Sequence, residues 1–230
     1  MTKITILIPC YNEVNTIEKL IEKVLKSEIP DKEVIIIDDF STDGTKEILQ
    51  SKLNKLVKKI VYHDKNLGKG ACIRSGMEHV TGEIIIIQDA DLEYNPSEYK
   101  KLIEPITNGQ ADVVYGSRFQ GTEAKRVLYF WNRVANYFLT ILSNIFTNIN
   151  LTDMETGYKC FTTKAAKSIA LVENRFGFEP EITAKLAKKK YRFAEIGISY
   201  NGRTYDEGKK IRAIDGIKAI YYIFKYNLFK

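Results

Sequence analysis

The first half of the chain alternates short runs of β-branched residues with segments whose apolar residues recur every three or four positions. This pattern predicts strands at 3–9, 33–39, 59–63, 83–88 and 111–117, and helices at 13–27, 45–57, 69–80 and 97–107. Continuous apolar strands separated by helices are typical of a mainly parallel sheet that is covered on both faces. Because parallel crossovers are right-handed, we expect an open, doubly wound, Rossmann-like α/β sheet.

The second half has a different pattern. It predicts a long helix over about 127–147, a short strand near 158–161, a helix at 179–190, a strand at 192–199 and a terminal helix from about 213. No linker composition separates the two halves. We therefore expect one compact unit over 1–230, in which the parallel sheet carries a C-terminal α/β extension.

Polar and glycine-rich segments follow each of the five predicted strands of the first half. They are Pro9–Glu13, Asp38–Gly44, Asp64–Gly70, Asp89–Asp91 and Gly116–Arg118. Ligands of open parallel sheets bind outside the carboxyl ends of the strands, so these segments converge on one expected binding edge. Neither the dinucleotide fingerprint G-x-G-x-x-G nor the P-loop pattern G-x-x-x-x-G-K-[ST] is present among them.

Three carboxylates follow four consecutive isoleucines in the stretch IIIIQDADLEYNP at 84–96. Asp89 and Asp91 project to the same side of an extended chain, and hard oxygen ligands at this spacing suit Mg²⁺ or Mn²⁺. A structural alternative is that Asn95 or Ser97 caps the next helix and the acidic residues only support its dipole. The convergence of five loops favours the metal site.

A second acidic pair, Asp38 and Asp39, ends the second predicted strand. The following residues are typical of a turn, in which Asp43 caps the next helix and Gly44 relieves the strain of the turn backbone. A turn does not account for two carboxylates directly after a buried strand. Asp39 is therefore expected to accept hydrogen bonds from a base or from ribose hydroxyls.

Composition narrows the class of protein. The chain has 230 residues, 44% of them hydrophobic and 28% charged, as in ordinary soluble domains. Its net charge of +6 suits phosphates, nucleic acid or an anionic membrane surface, but the basic residues form no nucleic-acid recognition motif and no nucleic-acid partner is expected. The apolar segment 128–146 contains Arg133 and several asparagines, so no bilayer span is predicted there.

Three cysteines, Cys10, Cys72 and Cys160, lie far apart and fit no metal-ligand spacing. A sparse, odd set indicates reduced thiols in a cytoplasmic protein. Cys10, beside a motif, is the candidate for a reactive thiol.

Taken together, IPCYNE, DDFSTDGT, NLGKGACIRSG and QDADLEYNP resemble the nucleotide-sugar glycosyltransferases of family 2, which have the GT-A fold. The segments GSRF, DMETGYKCF, RFGFEPEITAKLA and ISYNGRTYDEGKKIRAIDG resemble the branch that contains dolichol-phosphate mannosyltransferases and polyprenyl-phosphate glucosyltransferases. The resemblance covers nearly the whole chain. It implies a nucleotide-sugar-binding half (1–117), an acceptor-binding half (118–212) and an amphipathic helix (213–230).

The resemblance also implies roles for particular residues on the donor side. Base and ribose would be held by Pro9, Tyr11, Glu13 and Asp39, and the nucleotide sugar would also contact Lys69 and Asp89. The divalent metal, Mg²⁺ or Mn²⁺, would be bound by Asp89, Asp91 and Glu93. Phe40 departs from the pattern, because the family usually has glycine at this position, where close approach or an unusual backbone angle is needed.

In this branch the acceptor is expected to be a polyprenyl or dolichyl phosphate, whose oxygen attacks the anomeric carbon with inversion. A phosphate dianion is already deprotonated near pH 7, so cations matter more than a general base. The expected acceptor-phosphate residues are Arg118, Arg133, Arg203, Lys209 and Lys210. Asp91 and the three arginines are the expected catalytic residues. The two lysines are equally compatible with a solvated surface pair.

Two other functions remain open from the sequence. A saccharide hydroxyl as acceptor would need a carboxylate base, for which Asp153 and Glu155 are the candidates, although Asp153 could instead order a turn at Thr156–Gly157. A non-catalytic nucleotide-sugar-binding protein is the alternative of another class, which the intact Asp89 and Asp91 disfavour.

The terminal segment IDGIKAIYYIFKYNLFK places Ile214, Ile217, Tyr221, Phe224 and Leu228 on one helical face. Lysines flank this face, so the helix is expected to lie at a membrane interface, with the protein peripheral on the cytoplasmic face. The alternatives are a core helix and a homodimer contact.

Overall fold

The computed structural model describes residues 2–122, 124–127, 129–204, 206–208 and 213–229, without the side chains of 213 and 214. Within these residues, seven strands form one sheet in the order β3-β2-β1-β4-β6-β5-β7. Every neighbouring pair is parallel except those that include β6, which runs antiparallel to β4 and to β5. Both halves of the chain thus contribute strands to a single open sheet, and the predicted mainly parallel α/β fold class is confirmed.

The strands and helices have the following bounds. The strands are β1 (Ile4–Cys10), β2 (Lys32–Asp38), β3 (Lys59–Tyr62), β4 (Ile84–Ile87), β5 (Val113–Ser117), β6 (Lys159–Thr162) and β7 (Phe193–Gly197). The helices are α1 (Ile17–Lys26), α2 (Thr45–Ile48), α3 (Lys69–Met77), α4 (Tyr99–Thr107), α5 (Phe130–Thr147), α6 (Thr163–Lys167), α7 (Phe178–Lys188) and α8 (Ala213–Leu228). A π-helical turn (Leu49–Leu53) extends α2, and a 3₁₀ turn (Pro96–Glu98) precedes α4.

The predicted elements are present, with shifted ends. The first helix begins at Ile17 rather than 13, because Thr16 turns back to donate a 2.7 Å hydrogen bond to the Glu13 carboxylate. The predicted Asn95 cap is confirmed, since its side chain accepts from the Ser97 amide. Asp43 accepts from the Thr45 amide, but the residue at the N-cap of α2 is Gly44. The five-residue α6 was not predicted, since it is too short to show a helical period.

Alternate residues of the central strands enter two separate cores. Ile6 and Ile86 face the layer of α1 and α4, whereas Leu7 and Ile87 face the layer that contains α3, α5, α7 and α8. This is why these strands read as unbroken apolar runs in the sequence. Burial on both faces fixes the register, and with it the position of the polar residues that follow each strand.

Helix α8 packs against the protein and also presents apolar residues to solvent. Ala219, Ile223 and Tyr226 are buried, and the Glu173 carboxylate accepts hydrogen bonds from Lys225 (2.6 Å) and Tyr226 (2.5 Å). On the face predicted from the sequence, Ile217, Tyr221 and Leu228 are exposed. Phe224 instead packs edge-on against Phe146, and the Ile214 side chain lies outside the described residues. Among the described residues, no helix has the length and apolarity needed to cross a bilayer.

Gly70, in the first turn of α3, supplies a stability test. A Cβ atom there would lie 2.2 Å from the backbone oxygen of Glu173, whereas a Cβ at Gly216 in α8 would meet nothing within 4 Å. We expect Gly70→Ala to lower the free energy of unfolding by at least about 2 kcal/mol, because backbone must move. The matched Gly216→Ala should raise it by up to about 1 kcal/mol, since alanine favours helix. Urea unfolding of both variants measures the difference, and equal effects would contradict the packing.

Candidate active site

The carboxylate of Asp89 lies at the carboxyl end of β4, bound to a lysine from the start of α3. Lys69 Nζ is 2.8 and 3.0 Å from the two Asp89 oxygens, and it also contacts Glu179 Oε1 at 3.2 Å. Burial alone would lower the pKa of Lys69, but Asp89 and Glu179 raise it. Lys69 is therefore a fixed cation beside Asp89.

Asp91 pairs with an arginine that is distant in the sequence. Arg203 donates to both Glu13 oxygens (3.1 and 3.0 Å) and contacts Asp91 Oδ2 at 3.3 Å. Burial, followed by the neighbouring Glu93 and Asp89 carboxylates, raises the pKa of Asp91 to about 7. Arg203 thus compensates only part of the negative charge gathered around Asp91.

The carboxylate of Glu93 accepts hydrogen bonds from other residues of the chain. One oxygen accepts from the Tyr200 hydroxyl at 2.8 Å, and the other accepts from the Arg203 amide at 2.7 Å. Glu93 therefore holds the segment that carries Arg203. Its assignment as a metal ligand stays a prediction, and ligation would require it to release one of these bonds.

Asp89 and Asp91 fit a hard divalent cation. Their side chains are 21% and 18% exposed, and each now contacts the nitrogen of a cationic side chain. Gly157 leaves room beside them, since a Cβ there would lie 2.1 Å from Asp89 Oδ2. Carboxylate oxygens that carry uncompensated charge at an accessible edge are suitable ligands for Mg²⁺ or Mn²⁺.

Asp39 is buried and connects three segments. Its oxygens accept from the Leu67 and Gly68 amides (2.9 and 2.7 Å) and lie 2.8 Å from His63 Nδ1. The Asp39, His63 and Cys72 ligand atoms lie within 4.8 Å of one another, a proximity that the cysteine spacing did not predict. Asp39 thus fixes the loop before Lys69, and its contact with a base or ribose stays a prediction.

The segments after β1 and β2 are bonded to each other. The Asn12 amide donates to Ser41 Oγ (2.9 Å), and Asn12 Oδ1 accepts from the Thr42 amide (2.8 Å). Pro9 and Tyr11 lie half-buried beside them. Phe40 has a positive φ of 66° and is 47% exposed. The backbone angle is the one for which glycine is favoured, so phenylalanine there is strained.

Arg118, directly after β5, is held by Asp153. Its Nε and one terminal nitrogen each donate to Asp153 at 2.7 Å, its amide donates to the same carboxylate at 3.0 Å, and Asn136 bonds both partners. Burial would lower the pKa of Arg118, but Asp153 raises it well above its usual value. Asp153 is fully buried, and its carboxylate binds Arg118 and Asn136 rather than the turn at Thr156–Gly157.

Aromatic rings connect the expected acceptor arginines. The guanidinium carbons of Arg118 and Arg133 each lie 5.7 Å from the centre of the Phe119 ring, and that of Arg118 lies 5.4 Å from the Tyr200 ring. The structure therefore places Arg118 and Arg133 together, while Arg203 is engaged with Glu13 and Asp91. Lys209 and Lys210 lie outside the described residues.

Several contacting residues were not singled out from the sequence. They are His63, Asn136, Glu179 and Tyr200. Glu179 and Tyr200 stand in segments that carry the resemblance. Their positions, near the start of a helix and after the end of a strand, did not indicate from the sequence which residues they would contact. Cys10, the candidate reactive thiol, is buried, and burial disfavours a thiolate.

The raised pKa of Asp91 predicts a pH-dependent stability. Because the folded-state value of about 7 lies above the unfolded value of 3.8, folding takes up a proton between these limits, and stability falls as the pH rises through 7. Without divalent metal, Asp91→Asn should therefore raise the unfolding free energy by about 2 kcal/mol at pH 8 and much less at pH 4.5. Thermal unfolding at both pH values checks this, with Asp64→Asn, at an exposed position, as control. A gain independent of pH would contradict it.

Two curated proteins are similar in sequence over nearly the whole chain. Dolichyl-phosphate beta-glucosyltransferase of Trichomonas vaginalis is 28% identical over 98% of this chain and 73% of its own length. Dolichol-phosphate mannosyltransferase of Pyrococcus furiosus is 25% identical over 98% of this chain, which spans 64% of that protein.

The fold is also similar to that of a solved enzyme. Glucosyl-3-phosphoglycerate synthase of Mycobacterium tuberculosis, in complex with Mn²⁺, UDP and phosphoglyceric acid, superposes with a TM-score of 0.77 at 16% identity, covering 100% of this chain and 80% of that one. The architecture is thus that of GT-A glycosyltransferases. Residues 5–169 match the sequence profile described as "Glycosyl transferase family 2". The chain is therefore a glycosyltransferase and belongs to glycosyl transferase family 2.

Proposed function

We propose that this glycosyltransferase moves a hexose, glucose or mannose, from a UDP- or GDP-linked donor to a polyprenyl or dolichyl phosphate, with inversion at the anomeric carbon. Two relatives that align over 98% of the chain are named for dolichyl or dolichol phosphate.

The observation that carries the proposal is the Arg118–Asp153 pair. Asp153 orients the guanidinium with two 2.7 Å bonds. Among the described residues Nη1 of Arg118 donates to no partner, so it can receive an anion. With its oxygens saturated, Asp153 cannot accept a proton from an attacking hydroxyl. An acceptor that is already anionic needs a cation rather than a base, so the pair suits a phosphate.

Asp89 and Asp91 would hold Mg²⁺ or Mn²⁺, a cation that supplies charge stabilisation for the departing nucleoside diphosphate. The structural neighbour carries Mn²⁺ and UDP in its complex, which supports the same donor chemistry here. Lys69, fixed against Asp89, provides a second positive charge at that position. Pro9, Tyr11, Glu13 and Asp39 lie on the segments that would receive the base and ribose.

Exposed apolar side chains support a membrane surface as partner. Phe130, Trp131 and Tyr137 on α5 are 68%, 75% and 64% exposed, and Ile217 and Tyr221 on α8 are 64% and 61% exposed. Aromatic residues on amphipathic helices bind the interface between head groups and acyl chains. Because a polyprenyl phosphate is dissolved in a membrane, such a surface would bring Arg118 to its acceptor. The protein would be peripheral on the cytoplasmic face.

Transfer to a saccharide hydroxyl is the second candidate. With Asp153 saturated, Glu155 remains as the carboxylate near Arg118, and its Oε1 lacks a hydrogen-bond partner among the described residues. This candidate requires Glu155 to be ionised in order to act as a base.

The test of the proposal is transfer of radiolabelled sugar from UDP- and GDP-sugars to polyprenyl phosphate in detergent. We expect transfer with Mn²⁺ or Mg²⁺, loss of transfer with EDTA and loss in Asp91→Asn. Arg118→Lys should raise KM for the lipid phosphate by about 10- to 100-fold, since lysine has a single nitrogen and cannot bind Asp153 while offering a second one, as Nη1 does, to the phosphate. Donor KM should change little. Transfer only to saccharides would overturn the lipid acceptor.

The membrane surface is tested with liposomes that contain anionic lipid. Trp131→Ser combined with Tyr221→Ser should reduce binding several-fold, because each removes an exposed ring from the proposed interface. Leu56→Ser, at a residue that is 53% exposed outside α5 and α8, is the matched control. Cosedimentation of folded variants measures the effect, and unchanged binding of the double variant would refute the proposed surface.

A further inference from the structure

The turn 153–157 lies between the two charged parts of the site. At its first residue, Asp153 binds Arg118. At its last, Gly157 approaches Asp89 and Lys69 so closely that a Cβ would lie 2.1 Å from the Asp89 oxygen and 3.0 Å from the lysine nitrogen. Glu155 is midway between them along the chain. If the diphosphate binds at Asp89 and the acceptor at Arg118, which rests on the proposed function, the transferred hexose lies beside this turn.

Two carboxylate oxygens behind the turn are buried without hydrogen-bond partners in the part of the chain that the structure describes. They are Oε1 of Glu155 and Oε2 of Glu179. Glu179 is only 3% exposed, and its other oxygen contacts Lys69. Leaving a buried polar atom unsatisfied costs about 1–3 kcal/mol, so such atoms indicate a missing partner. A hydroxyl-rich ligand would supply one.

The protonation of Glu155 is consistent with recognition of a hydroxyl. Burial, followed by the nearby Glu179 carboxylate, raises the pKa of Glu155 to about 8. At neutral pH the carboxyl group is therefore mostly protonated and can both donate and accept, as a sugar hydroxyl also does. A protonated carboxyl group cannot act as a general base.

We propose that Glu155 is a specificity-determining residue, whose carboxyl group forms hydrogen bonds with a hydroxyl group of the transferred hexose. Glu179 acts behind it as a positioning residue, because one of its oxygens contacts Lys69 and its negative charge disfavours ionisation of Glu155. A site that forms such bonds rejects a donor that lacks the hydroxyl, since the buried carboxyl group is then left unsatisfied.

The first measurement is the affinity of the full chain, with Mn²⁺, for a nucleotide sugar and for the corresponding nucleoside diphosphate. We expect Glu155→Leu to weaken binding of the nucleotide sugar about 10- to 100-fold and to leave that of UDP or GDP within about twofold. Glu155→Gln keeps a donor and an acceptor, so its effect should be below about fivefold. Glu104→Gln, at an exposed residue of α4, is the control.

The second measurement pairs the variants with deoxy-sugar donors. The donor that lacks the hydroxyl bound by Glu155 should bind to wild type as weakly as the complete donor binds to Glu155→Leu. Combining this donor with Glu155→Leu should cause no further loss of affinity. If Glu155→Leu does not fold, Glu155→Gln takes its place in the same test. The loss of affinity caused by removing that hydroxyl from the donor should then differ between Glu155→Gln and wild type.

Distinct outcomes separate the possibilities. Equal loss of sugar and diphosphate binding, or no loss, overturns the role of Glu155. A collapse of kcat by more than about 100-fold in Glu155→Gln with unchanged donor affinity identifies a base instead and also overturns it. Failure of the wild-type chain to bind any nucleotide sugar would refute the proposed function itself.

Discussion

The concentration of negative charge at one edge of the sheet is the constraint on which the rest of this structure depends. Glu13 follows β1, and Asp89, Asp91 and Glu93 follow β4. Arg203 contacts Glu13, Asp91 and Glu93, whereas Lys69 contacts Asp89. Partly buried carboxylates repel one another unless cations or hydrogen-bond donors compensate them. The chain supplies part of that compensation internally through Arg203 and Lys69, while burial, followed by the neighbouring carboxylates, raises the pKa of Asp91.

The fold could be predicted because its signals are local. Apolar runs such as Ile84–Ile87 identify strands, and the polar residues that follow them lie at one edge by the rules of parallel sheets. The proximity of Asp89 and Asp91 follows from their spacing alone. The helix ends were less accurate, since Thr16 and Leu49 depend on local turns that periodicity does not report.

The pairing within the site could not be predicted in the same way. Arg203 meets Glu13 across 190 positions, and Arg118 meets Asp153 across 35. Residue type and spacing identify such groups as charged but not as partners. As a result, Arg203 was expected to be available for a phosphate and is instead bound to carboxylates. Asp153, a candidate base, instead orients an arginine. Donor and acceptor sides are thereby linked by ion pairs that only the folded chain creates.

The reversed direction of β6 has a topological consequence. The loop after a parallel strand lies at the binding edge of the sheet, and the loop before it lies at the opposite edge. Because β6 runs antiparallel to β4 and β5, the loop before β6 lies at the binding edge instead. Asp153, Glu155 and Gly157, which precede β6 in the chain, therefore lie at the site between the loops that follow β4 and β5. The one inverted strand therefore places a further loop at the binding edge, between the loops that follow β4 and β5.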